Sequence, residues 1–153
     1  MAINPNTQFS SGAVYTADEA NRFPRGVMGY VQSNAGDITI TTTLADLTGM
    51  SVTFTAVANR AYRASWAGSV QKLTTAGWTG MYCTNGGNVV YQTLYATNTA
   101  GNYVQLSGST VFANLTPGSY TIKLRALCEV ATSRLLRSGA EYVNLIVEDI
   151  GPS

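Results

Sequence analysis

From Tyr120 to Cys128 the chain alternates. Tyr120, Ile122, Leu124, Ala126 and Cys128 fall on one side, Thr121, Lys123 and Arg125 on the other, and only Leu127 breaks the rule. Period two marks a strand with one buried face and one wet face. Thr116-Pro117-Gly118 ahead of it is a turn signal, because proline presets φ and glycine accepts the positive φ of a type II turn. Met50, Val52, Phe54 and Ala56 alternate in the same way with Ser51, Thr53 and Thr55. Tyr62, Ala64 and Trp66 then alternate with Ala61, Arg63 and Ser65 after a tight turn at Ala58-Asn59, which predicts a hairpin. Val143, Leu145 and Val147 repeat the pattern near the end of the chain.

Between these stretches the signal is weaker. Residues 26–32 form a first strand candidate and residues 38–44 a threonine-rich edge strand, with 45–49 as a connection. The pattern fades over 68–80. A short strand over 81–84, the turn Asn85-Gly86-Gly87-Asn88 and a return over 89–95 make a second hairpin. Residues 98–102 read as a turn, 103–106 and 111–113 as strands, and 134–138 as a connection or short strand. About eight to ten strands at intervals of roughly ten residues argue for an antiparallel sandwich or barrel, not for β-α-β units. One helix is predicted ahead of them. Thr16 and Glu19 form a capping box, Asp18 and Glu19 suit the positive end of the dipole, and Pro24 stops the helix. It is too short to stand alone and needs packing through Ala20 and Phe23. The expected organisation is an arm with a short helix over 1–24 and a β-sandwich domain over 25–153.

Composition narrows the partners. Charged residues make up 11% of the 153 residues, and the net charge is +1. Threonine, serine, asparagine and glycine carry the polar surface, which suits strands and turns and also a protein whose faces are covered by partners. No basic patch is available to neutralise phosphates, so nucleic acid is not an expected partner. Met1 is followed by Ala2-Ile3-Asn4-Pro5-Asn6, not by a basic and then apolar run, so no signal peptide is expected. No apolar segment approaches the roughly 20 residues of a spanning helix, so membrane insertion is not expected. Cys83 and Cys128 are the only cysteines. In a chain made in a reducing cytoplasm the default is two free, partly buried thiols, with a disulfide as the alternative.

The candidate chemistry is thin. The chain contains no histidine, which removes Ser-His-Asp and Cys-His mechanisms. No glycine-rich phosphate loop is present. Glu148 and Asp149 are adjacent and point to opposite faces of a strand, and the other carboxylates are scattered, so a glycosidase pair is not indicated. No enzyme, cofactor or metal site is expected. Asn114-Leu115-Thr116 matches a glycosylation sequon, but Asn114 is read as a turn residue. Trp78, Tyr82, Tyr91, Tyr95 and Tyr103 cluster in one third of the chain, interleaved with Asn85, Asn88, Asn98 and Asn102. Aromatic faces stack on sugars and enrich interfaces, although most such rings pack in cores. The candidate receptor or glycan contacts are Trp78, Tyr95, Asn98 and Tyr103. Trp78 and Tyr103 are the two rings expected outside the core.

Four segments carry a family resemblance. The first runs from Phe9 through Ser11-Gly12-Ala13-Val14-Tyr15-Thr16-Ala17-Asp18-Glu19-Ala20-Asn21 to Phe23-Pro24-Arg25-Gly26-Val27-Met28. The others are Ala45-Asp46-Leu47-Thr48-Gly49-Met50-Ser51-Val52-Thr53-Phe54-Thr55-Ala56-Val57-Ala58-Asn59-Arg60, Leu115-Thr116-Pro117-Gly118-Ser119-Tyr120-Thr121-Ile122-Lys123-Leu124-Arg125-Ala126, and Leu145-Ile146-Val147-Glu148-Asp149-Ile150-Gly151-Pro152-Ser153. Together they resemble small jelly-roll structural proteins, minor tail or decoration type, of actinobacterial tailed phages and prophages. Residues 68–110 lie outside the resemblance. It implies a jelly-roll-like β-sandwich in a virion, made in the host cytoplasm. The arm and helix (Thr16, Glu19, Ala20, Phe23) would attach it to other virion proteins, and loops of 68–110 would meet a host cell-surface glycan. It implies a minor tail or fibre component assisting host adsorption, as a homo-oligomer with a trimer favoured. A capsid decoration protein and a carbohydrate-binding module are the competing expectations.

Overall fold

The structure is a computed structural model. It describes residues 23–73, 76–86, 88–97, 101–130, 133–139 and 141–153, with backbone placement alone for 88–97. The described residues form ten strands: β1 (Gly26–Ser33), β2 (Ile38–Ile40), β3 (Ala45–Ala56), β4 (Arg60–Lys72), β5 (Gly77–Asn85), β6 (Asn88–Thr97), β7 (Tyr103–Phe112), β8 (Gly118–Cys128), β9 (Ser133–Leu136) and β10 (Val143–Pro152). The predicted helix at 16–23 and its residues Thr16, Glu19 and Ala20 lie outside the described residues; Phe23, the first described residue, sits in a bend.

All described pairing is antiparallel. One sheet runs β3-β8-β5-β6. The other is built on β4, whose one edge pairs with β7 over 62–71 and whose other edge pairs with β10 over 60–67 and then with β9 over 69–72. β9 and β10 therefore lie end to end along β4. β1 and β2 lie end to end along β10 and β9 in the same way. With each collinear pair taken as one strand, the result is two four-stranded sheets. Their inner faces share one core, in which Val52, Phe54, Met81, Ile122 and Leu124 of one sheet pack with Tyr62, Trp66, Leu106, Leu145 and Val147 of the other. This is a jelly-roll-like sandwich.

The strong alternations all map to strands whose apolar face is buried. Ile122, Leu124, Ala126 and Cys128 are buried on β8, while Leu127 points to the wet side. Several connections differ from the sequence reading. β3 and β4 are not hairpin partners: β3 pairs with β8 and β4 with β10, β7 and β9. Both strands carry one apolar face, and a turn that crosses between the sheets lets both faces enter the same core. Residues 45–49 belong to β3, where a register shift between Asp46 and Ser51 bulges the strand and lets Leu47 and Met50 reach the core. Only 38–40 of the threonine-rich stretch is strand. The chain then crosses to the other sheet, and the Thr41 carbonyl accepts from Cys128 N at 2.9 Å. Residues 103–106 and 111–113 are one strand, β7.

Cys83 and Cys128 are buried and not bonded to each other. Cys128 stands opposite Thr79, and Cys83 opposite Leu124. Four residues of offset is about 13 Å, well beyond disulfide reach.

Candidate functional site: the loop end of the sandwich

The ladders bring four connections to one end. Gln71 pairs with Tyr103 and Arg134, Lys72 with Ser133, Ile40 with Ser133, and Thr79 with both Cys128 and Tyr95. The described residues 41–44, 73, 76, 101–102 and 129–130 therefore stand on the same side. The opposite end, about 40 Å away along the thirteen residues of β4, holds the 57–59 and 113–117 turns and Gly86. Phe23 and Ser153 also sit there. The Phe23 carbonyl accepts from Arg60 Nη2 at 2.7 Å, and Ser153 N donates to the Asn59 carbonyl at 3.1 Å. Asn59 and Asn114 both have φ of 57° at this end, so Asn114 serves a turn.

The loop end is tied by polar contacts. Gly101 N donates to the Lys72 carbonyl at 2.7 Å, and Gln71 Nε2 donates to the Gly101 carbonyl at 2.9 Å. Arg134 Nη2 donates to Gln71 Oε1. Lys72, buried to 2% exposure, donates from Nζ to the Val130 carbonyl at 2.6 Å. Trp78 N donates to Glu129 Oε2 at 3.1 Å, and Glu129 N donates back to the Trp78 carbonyl at 3.0 Å. Inside, Thr79 Oγ1 and Ser133 Oγ share a hydrogen bond of 2.7 Å between the two sheets. Gly77 has φ of 152°, and a Cβ there would meet Glu129 Oε2 and Val130 Cγ2 at 3.1 Å. Only glycine lets β5 start this close to the 129–130 turn.

The candidate contacts mostly gather at this end. Tyr103 opens β7 and is 64% exposed. Trp78 is half-buried near the start of β5. Tyr95 lies on β6 opposite Thr79. Asn98 lies outside the described residues. Asn102 is exposed beside Tyr103. Asn85 and Asn88 do not join them: they face each other at the other end of β5 and β6, nearly 30 Å off by strand length. Tyr82 is buried, and desolvation pushes its phenol up. The arrangement offers one exposed ring, one half-buried ring, amide and carbonyl groups, and a framework held by Gln71, Lys72, Glu129 and Arg134. Those four were missed by the sequence reading, and no motif marks them.

A second polar knot lies on the β1–β3 edge. Arg137 N donates to Asp37 Oδ1 at 2.9 Å, and the Arg137 guanidinium donates to the Gly36 carbonyl, Ser33 Oγ and the Thr48 carbonyl. The backbone bond from Arg137 is the main reason the Asp37 carboxyl sits below its ordinary range. Beside the Thr48 bulge a shallow cleft is lined by residues 46–51 and Lys123. Asp46 there is held low by hydrogen bonding from Lys123. Among the described residues no cluster of three or more His, Cys, Asp or Glu is placed to hold a metal. No helix among them is long and apolar enough to cross a membrane.

No family model and no curated protein matches this chain. Solved structures align with this chain at low identity. One, described as Bacillus endospore appendages forming a family of disulfide-linked pili, aligns at 16% identity and TM-score 0.40 over 96% of this chain and 100% of its own. A structure of infectious bursal disease virus, Gx strain, aligns at 16% identity and TM-score 0.37 over 98% of this chain and 42% of its own. The carbohydrate-binding module CBM36, in complex with calcium and xylotriose, aligns at 13% identity and TM-score 0.35 over 76% of this chain and 98% of its own.

Proposed function

We propose that this chain is a non-enzymatic virion structural protein of a tailed phage, a minor tail or fibre component that assists adsorption to the host. The carrying observation is the division of the sandwich into two ends. The chain enters beside Arg60 at one end, where residues 1–22 would reach other virion proteins. Trp78 and Tyr103 stand at the other end, with the strand ends at Lys72, Thr97 and Cys128. Loops on a rigid sandwich are where binding specificity is commonly carried. The segments that resemble actinobacterial phage structural proteins support the virion reading, and they exclude the 68–110 region that builds much of the loop end.

A carbohydrate-binding role is favoured by one observation of its own, the exposed Tyr103 ring with exposed Asn102 next to it in the chain. In the adsorption reading the same surface meets a host cell-wall glycan.

Electron microscopy of purified particles with this protein labelled tests the proposal. Label at the tail tip is the expected result. Label spread over the head moves the protein to capsid decoration, and capsid stability becomes the assay. Absence from every particle overturns the virion reading and leaves saturable glycan binding, lost in Trp78→Ala, as the function to measure.

A further inference from the structure

Four strands of the β4-centred sheet stand side by side in the order β1, β10, β4, β7, and their registers line up the outward side chains in rows. One row is Val27, Glu148, Arg63 and Val111; the next is Tyr30, Ile146, Ser65 and Ser109. All eight are exposed or half-buried, while residues between them, such as Ala64, Leu145 and Val147, are buried in the core. Val27 is 62% exposed, Tyr30 53% and Val111 55%. Three large apolar side chains therefore meet solvent on one sheet face, a feature of surfaces that take a protein partner.

The two halves of this face differ in kind. In the Tyr30 row, β1 and β10 present the bulky pair Tyr30 and Ile146, and β4 and β7 present only Ser65 and Ser109. In the Val27 row, β10 presents an anion and β4 a cation. The two charges are joined within the chain: Arg63 Nη2 donates to Glu148 Oε2 at 2.8 Å, with side-chain exposures of 46% and 29%. The Tyr30 hydroxyl donates to Gln32 Oε1 at 2.5 Å, so a partner can cover the ring without orphaning its hydroxyl. Bulk lies on one side of the β10–β4 seam and space on the other, with opposite charges across the seam.

We propose that this face is a self-complementary interface, packed on the same face of a second copy about a two-fold axis that runs along the strands between β10 and β4. Such an axis keeps the strand direction, as in the aligned packing of sandwich sheets, and sets β10 of each copy over β4 of the other and β1 over β7. Ile146 then lies over Ser65 of the second copy, Tyr30 over Ser109, and Val27 over Val111. Bulky side chains enter the space that small ones leave, which is how facing layers interdigitate. Glu148 of each copy faces Arg63 of the other, so four charges of alternating sign close a ring that fixes the orientation. A two-fold axis across the strands does worse. Through the Tyr30 row it sets Tyr30 on Tyr30 and Ile146 on Ile146, and through the Val27 row it sets Glu148 on Glu148. Shape and charge thus select a second copy as the occupant. The inference stands apart from the phage reading, and it gives a two-fold pair where the resemblance implies a trimer.

Four strands about 4.8 Å apart and about eight residues long make a face of roughly 500 Å² per copy. The pair then buries on the order of 1,000 Å², at the small end of specific interfaces, so the dimer forms at high concentration. The test uses the full chain and reads mass by light scattering, with circular dichroism to check folding. Wild type should reach a dimer mass. Arg63→Glu and Glu148→Arg each put like charges into the ring, and each alone should dimerise at least about tenfold more weakly. Mixed in equal amounts, the two should recover the dimer to within about threefold of wild type, because every anion then faces a cation. Both side chains are partly exposed, so neither change should unfold the chain. Ser65→Tyr fills the space under Ile146 and should also weaken dimerisation at least about tenfold; if a charge variant fails to fold, Ser65→Tyr decides. A trimer mass, charge variants that dimerise as well as wild type, or a mixture that stays monomeric overturns the proposal. A monomer at every concentration also overturns it, and resistance of Tyr30 to nitration in that monomer would make residues 1–22 of the same chain the occupant.

Discussion

Arg60 and Asp149 form an ion pair inside the protein, with Arg60 Nε donating to Asp149 Oδ2 at 2.7 Å and side-chain exposures of 3% and 0%. The pair joins the start of β4 to the end of β10, and it also receives the entering chain through the Phe23 carbonyl. Burial pushes the Asp149 carboxyl up. The hydrogen bonds from Arg60, Gly151 N and Arg25 N more than offset this and hold it below its ordinary range. Asp149→Asn leaves the Arg60 charge buried without its counter-ion, which costs about 3–5 kcal/mol. The expected loss in Tm is on the order of 10 °C at pH 7.

The same pair gives a pH signature. A carboxylate whose folded pKa is depressed contributes stability that is present above the unfolded value, near 3.8 here, and lost as pH falls through the folded value. The wild-type protein should therefore lose stability below about pH 4. Asp37 and Asp46 are also held low and share in that decline. The Tm gap between wild type and Asp149→Asn isolates the Asp149 share. It should be constant from pH 7 to 5 and narrow below 4. A gap that stays constant down to pH 2.5 would show that the pair does not hold the proton off Asp149.

Arg137 supports the sandwich at the level where both β1–β2 and β9–β10 are interrupted. Its guanidinium reaches two carbonyls, Gly36 and Thr48, that belong to different sheets' edges. Arg137→Met removes the donors and leaves those carbonyls without them, at a cost of roughly 3 kcal/mol by denaturant unfolding. Arg137→Lys should recover less than half, because an ammonium does not reproduce the planar fork. Full recovery with lysine would reduce the role to charge alone.

Gly29 of β1 packs directly against Val52 of β3. A Cβ there would stand 2.3 Å from Val52 Cγ1. Valine is stiff at χ1 and is itself buried, so Gly29→Ala should cost about 1–3 kcal/mol through overpacking. Removing the obstacle should relieve it: Gly29→Ala combined with Val52→Ala is expected to be less destabilised than the sum of the single changes, by roughly 1 kcal/mol. Strict additivity in that double-mutant cycle would place the cost of Gly29→Ala elsewhere.

How much of this was legible depended on range. Strands with period two, such as 120–128 and 50–56, were readable because one face enters the core and the other meets water. The extent of β7 was not, because Ser107, Gly108 and Ser109 interrupt the apolar signal on an edge that buries little. The β3–β4 hairpin was misread because alternation reports which face is buried and says nothing about which sheet the strand joins. Arg137 left no local trace, since its partners lie about one hundred residues away in the chain. Trp78 and Tyr103 were readable as rings with loop-like flanks. The framework of Gln71, Lys72, Glu129 and Arg134 arises only when β4, β5, β8 and β9 end together.

Both thiols should be inert in the folded protein. Cys83 is fully buried, and desolvation pushes its thiol up to about 12; Cys128 is buried and donates from Sγ to the Ile40 carbonyl at 3.4 Å. The thiolate is the reactive form, and neither sulfur is open to reagent. A chromogenic disulfide reagent at pH 8 should therefore label neither residue in the native state and both after denaturation, with intact mass unchanged by prior exposure to air. Fast labelling of one thiol in the native protein would mean that β5 or the end of β8 opens locally, and the site labelled would say which. Mass loss of two hydrogens on oxidation would contradict the four-residue offset between Cys83 and Cys128 and with it the register of β5 on β8, from which the loop end takes its shape.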